Sequence, residues 1–78
     1  MTRVYEEIVD FIAAGSTSDE VARYVPSKKV KARVWELLAR AKTGTLTSEE
    51  RSDLDHYLQL EHIMRMAKAK ARVRAAHE

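Results

Sequence analysis

The chain has no cysteine among its 78 residues, which excludes disulfides, thiolate zinc sites and thiol redox chemistry. With one proline and two glycines, it has few places where a helix must end, so those few are informative. Aromatic residues make up 6 % of the chain, and none falls in its most basic segment, residues 65 to 74, which argues against single-strand nucleic-acid binding by that segment. Long apolar runs are absent too: nothing approaches the roughly 18 apolar residues of a membrane span, and the N-terminus lacks a basic stretch followed by an apolar one. The expectation is a cytoplasmic protein with neither signal peptide nor membrane contact. Charge of one sign is also scarce overall, since 14 Lys and Arg against 12 Asp and Glu leave a formal +2, too little by itself to argue for nucleic acid.

What is present is helical periodicity, and the spacing predicts an all-α domain over 1–78 with helices near 3–14, 17–24, 28–43 and 47–76. In the first helix Val4, Ile8, Phe11 and Ile12 share one face, and Gly15 can take the positive φ that closes it. Thr17-Ser18-Asp19-Glu20 has the Thr-x-x-Glu form of a capping box and starts a short second helix, ended by Pro26, which pushes Val25 out of the α region. Ser27 is an N-cap for the third helix, where Val30, Val34, Leu37, Leu38 and Ala41 form a stripe and Trp35 lies off its centre. Gly44 ends that helix, and the short link through Thr45 and Leu46 predicts an antiparallel hairpin with the last one. Thr47-Ser48-Glu49-Glu50 repeats the capping box and opens an unbroken helix of roughly 30 residues, about 45 Å long at 1.5 Å per residue. A compact chain of this size has a radius of gyration of about 11 to 12 Å, so the long helix overshoots its own globule.

On that helix Leu54, Tyr57, Leu58, Leu60, Ile63 and Met64 cover a broad apolar arc, wider than one neighbouring helix can bury. Val30, Val34, Leu37 and Leu38 are expected to pack on Leu54, Tyr57, Leu58 and Ile63. The rest of the arc points to a partner, with Tyr57, Leu60, Ile63, Met64, Ala67 and Ala71 as candidate contacts, all but Ile63 on a heptad seam that Arg74 interrupts. A homodimer is the expected closed form. Arg65, Lys68, Lys70, Arg72 and Arg74 form one basic group with no acid among them, and Lys28, Lys29 and Lys31, followed by Arg33, form a second at a helix start. The first group either contacts an anion or acidic surface, or complements the helix macrodipole. The second opposes the dipole, so either an outside anion or Asp19 and Glu20 should neutralise it. Glu61 and Arg65 stand as an i,i+4 pair at the edge of the arc.

His56 and His62 are six residues apart on poorly matched faces, and His77 is near the end, so no metal site is expected. The chain shows no nucleophile beside a base, no acid pair in a cleft context and no glycine-rich loop. It is expected to be neither an enzyme nor a cofactor binder.

The run TGTLTSEERSDLDHYLQLEHIMRMAKAKAR, ending at Arg72, resembles the ending of a group of small bacterial proteins, frequent in cyanobacteria and encoded beside nuclease-like or toxin-like genes. The segment Phe11 to Val21 and the pair Pro26-Ser27 are similar too, while Ser52-Asp53 and the basic stretch Lys28 to Arg33 depart from the group's pattern. The resemblance implies an antitoxin-like regulator that binds a co-encoded enzyme and assigns no residue a role. The second reading, from a different class, is a small basic nucleic-acid-associated protein, favoured if the two basic groups share a face.

Overall fold

The computed structural model describes residues 3–77, except for the side chains at 75 and 77. It is all-α, with α1 Glu6–Ala13, α2 Ser18–Ala22, α3 Lys28–Lys42 and α4 Ser48–His77 in chain order. The first helix starts later than its periodicity suggests. Val4 and Tyr5 lie in a turn closed by the Glu6 amide donating to Arg3 O at 3.1 Å. No side chain caps α1 at Tyr5, so nothing there offsets the unpaired amides of a longer first turn. Val4 is nevertheless buried with Ile8, as the spacing requires.

The second helix stops at Ala22, short of the predicted end before Pro26, with Arg23 as its C-cap, but the predicted caps are realised atom by atom. Thr17 and Glu20 exchange both bonds of a capping box, and Thr47 and Glu50 do the same at the head of α4, with distances of 3.0 and 3.1 Å. Ser27 Oγ accepts from the Val30 amide at 3.2 Å. At the end of α3, Gly44 takes φ 69°. Its amide donates to Ala41 O and the Thr45 amide to Arg40 O, which is the paired pattern of a Schellman cap. Gly15, at φ 72°, closes α1 in the same way, except that the Ser16 hydroxyl supplies the second bond, donating to Phe11 O at 2.8 Å.

The three shorter elements lie on one side of α4, and the molecule measures 48 × 22 × 19 Å with a radius of gyration of 14.2 Å. That exceeds the compact expectation because the core is a single layer laid along a 30-residue spine. The core comprises Val4, Ile8, Val34, Leu37, Leu54, Tyr57 and Met64, with Phe11, Val21, Tyr24, Val30 and Leu38 packed against it. Two of the expected hairpin contacts need correcting. Leu58 and Ile63 are exposed, because at 3.6 residues per turn they fall on the flanks of the stripe that Leu54, Tyr57 and Met64 centre.

The closest backbone packing on α4 comes from the five-residue α2, more extensive than that of α3. Small side chains explain this. Ala67 is half-buried and Ala71 buried beneath Ser18 and Val21, and an alanine surface lets a short helix approach where large side chains hold α3 farther off. The change of character past Met64 therefore makes a seat for α2. Among the described residues no helix is long and apolar enough to cross a membrane.

Candidate interaction surface

The candidate contacts divide between the two sides of α4. Tyr57, Met64 and Ala71 are buried within the chain, and Leu60 and Ala67 are half-buried against its core. These five form the intramolecular seam and are not free for a partner. The arc looked unfilled in the sequence because the chain's own α1 and α2 were not credited with covering it. Of the six candidates, Ile63 alone is exposed, at 55 %.

Turned the other way are Met66 at 56 % and Val73 at 59 % exposure, three and ten residues beyond Ile63, hence on one side of the helix. Sequence reasoning missed Met66 and Val73 because it followed the denser stripe. Beside Ile63 a groove of about 310 Å³ runs between α4 and α1, lined by Phe11, Ile12, Ser16, Val21 and Ala67 among others. Ile12 is half open to solvent there. Exposed Lys70, Arg72 and Arg74 make no ion pair among the described residues, so the apolar strip is bordered by cations.

Lys68, Arg65 and Arg33, from the same basic groups, have intramolecular roles. Lys68 Nζ donates to Tyr24 O at 2.7 Å, satisfying a carbonyl just past α2 and tying it to the spine. Arg65 pairs with Glu61 one turn earlier, on the solvent side, where such pairs contribute little. Arg33 bonds Glu36 at 2.9 Å and Glu50 at 3.2 Å. The acid expected near Lys28, Lys29 and Lys31 is also a different one. Asp19 pairs with Arg23 at 3.1 Å, and Glu20 is held in its capping box. Glu7, reaching from α1, instead accepts the Ser27 amide on Oε1 at 2.7 Å. A carboxylate thus sits at the positive end of the α3 dipole, where negative charge is stabilising. The basic residues left free are divided between α3 and α4.

Glu50 is the most connected polar group. Its Oε1 accepts from the Thr47 amide at 3.0 Å and Arg40 Nη2 at 2.8 Å, and its Oε2 accepts from Arg40 Nη1 at 2.5 Å and Arg33 Nη2 at 3.2 Å. The Thr47 amide, then Arg40, hold its carboxyl down at about 2. Tyr24 is pushed up to about 12, first by burial and then by Glu7, whose Oε1 accepts from its hydroxyl at 3.5 Å. Its ring lies against Phe11 with centroids 4.6 Å apart. Burial likewise raises Tyr57. These groups join elements of the fold.

Of the histidines, His56 stacks at a tilt on Tyr5, centroids 5.4 Å apart, and His62 is exposed. The side chain of His77 lies outside the described residues. Trp35, the chain's one tryptophan, is 73 % exposed on the outer side of α3. No protein-family model, no curated protein and no solved structure matches the chain.

Proposed function

We propose that this protein is a non-enzymatic interaction module, an antitoxin-like regulator that binds a co-encoded enzyme through the outer side of α4. The observation that carries the reading is the bare side of the spine. Ile63, Met66 and Val73 are each more than half exposed on a helix whose opposite side already holds the core. Apolar side chains scattered singly are ordinary, but a strip at helical spacing with an adjoining groove has the form of a helix-borne recognition face. The likeness of the TGTLTSEE run ending at Arg72 to proteins encoded beside toxin-like genes supplies the kind of partner. Lys70, Arg72 and Arg74 bordering the strip favour a partner with an acidic rim, since rim charges steer association. The same side is where a second copy would pack into a homodimer, and the setting proposed is cytoplasmic.

The test is co-expression with the product of the neighbouring gene, followed by affinity measurement on Ile63→Ser, Met66→Ser and Val73→Ser. Loss of binding by these variants with unchanged helicity supports the reading. Full binding by the triple variant overturns it.

A further inference from the structure

A second surface, on α3, has a composition that the interaction reading does not use. Trp35 is 73 % exposed, and Lys31, Lys28 and Lys42 stand four before, seven before and seven after it. At 3.6 residues per turn these spacings place all four side chains along one stripe, about 21 Å from first to last. The three lysines are exposed, and among the described residues none makes an ion pair. No acid lies on the stripe. Glu36, the acid on α3, is turned to its flank and bonded to Arg33.

We propose that this stripe is a single-stranded nucleic-acid contact, in which Trp35 stacks on a base while Lys28, Lys31 and Lys42 neutralise phosphates on either side. An aromatic face interleaved with cations along a line is the arrangement that holds single strands without reading sequence. An acidic protein surface would answer the charge as well, but the neighbours of Trp35 argue against it. Protein hot spots sit among apolar and aromatic residues, and lysine is depleted there. Around Trp35 the exposed side chains are lysines, the small Ala32 and Ala39, and on the flank Glu36, whose charge is taken up by Arg33. The proposal stands apart from the α4 reading, and either can fail alone.

Because Trp35 is the sole tryptophan, intrinsic fluorescence reports on the site alone. Titrating the full chain with an oligothymidylate of about 15 nucleotides, near the upper site size of single-strand binders, should quench that emission saturably. Half-saturation is expected at about 1 to 100 µM at physiological salt, the range of non-specific binders. With three phosphate contacts and a slope of about −0.7 each, a fourfold rise in salt should weaken binding about 20-fold. Followed by anisotropy of a labelled oligonucleotide, the triple variant Lys28→Gln, Lys31→Gln, Lys42→Gln should lose at least tenfold in affinity and most of the salt slope. Trp35→Ala should lose affinity with the slope kept. Circular dichroism confirms that these exposed positions leave the fold intact. Absence of quenching at 100 µM oligonucleotide (about the weak limit of that range) overturns the proposal. So does equal binding by the triple variant, or equal quenching by polyglutamate, which would make the stripe a site for acidic polypeptides.

Discussion

Arg40 grips Glu50 with both terminal guanidinium nitrogens, at 2.5 and 2.8 Å, while Glu50 also closes the capping box of α4 through the Thr47 amide. One carboxylate thus ends one hairpin arm and begins the other, and Arg40 Nη2 fixes the link between them by donating to Thr45 O at 2.9 Å.

Acid should loosen this corner. The Glu50 carboxyl sits at about 2 in the fold against an ordinary 4.5. A group depressed in this direction contributes stability that is present above its ordinary value and lost as pH falls through the folded one. Thermal melts followed by circular dichroism between pH 5 and pH 2 should show a fall in Tm that is clearly reduced in Glu50→Gln. Equal pH dependence in the two proteins would show that the network adds nothing to the native state.

Capping can be separated from ion pairing at the same place. Thr47→Ala removes the hydroxyl that accepts the Glu50 amide at 3.1 Å and leaves both arginine bonds possible. The expected cost is about 1 kcal/mol, a Tm lower by about 4 to 8 °C for a domain of this size. An unchanged Tm would mean that the arginines alone set the head of α4.

Met64 and Met66 are two residues apart on one helix and should behave as opposites. Met64 is buried in the seam beside Tyr57, and Met66 is more than half exposed. Met64→Ala should cost about 2 to 5 kcal/mol, enough to unfold much of a small domain, whereas Met66→Ala should stay within about 0.5 kcal/mol. In partner binding the order reverses. Met66→Ser should weaken the complex through faster dissociation, and Lys70→Gln with Arg72→Gln should act mainly on the association rate. Urea melts and surface plasmon resonance on the same variants check both halves.

Most element ends were legible in the sequence because they rest on local chemistry, two Thr-x-x-Glu boxes, one serine cap and two glycines at positive φ, whereas the uncapped start of α1 and the end of α2 at Ala22 were not. Which side of α4 faces inward was not, because a broad arc such as Leu54 to Met64 fits several placements until the covering elements are known. The decisive element was α2, five residues long, whose packing depends on Ala67 and Ala71 being small rather than on any apolar signal of its own. Trp35 was legible only as a departure from the α3 stripe. Its exposure follows from that departure, but its lysine neighbours gain meaning only once Arg33 and Glu36 are seen turned toward each other.

The outer side of α4 carries a spacing that predicts how two copies would meet. Asp55, Leu58, His62, Met66 and Ala69 are all exposed there, at intervals of three, four, four and three, a pattern symmetric about His62. An antiparallel pair with its two-fold axis at His62 would set Leu58 against Met66 of the second copy and bring Asp55 beside Lys70 of the second copy. Such isologous contacts are the common form of homodimer. One rim pair is unfavourable, Arg51 against Arg72 of the second copy, and the face is a single helix wide. The dimer should therefore be weak, near the low end of specific interfaces in area. The absence of cysteine makes the test clean, since an introduced thiol is the only one in the chain. Under mild oxidation His62→Cys should cross-link to a covalent dimer, while Val73→Cys, far from the axis, should not. A parallel pair would cross-link at both positions. Sedimentation of the unmodified chain at about 100 µM, well above the micromolar range of weak complexes, should show mass above the monomer that Met66→Asp abolishes. Monomer alone at that concentration, with no cross-link at His62→Cys, would exclude the second copy and leave the outer side of α4 to a different protein.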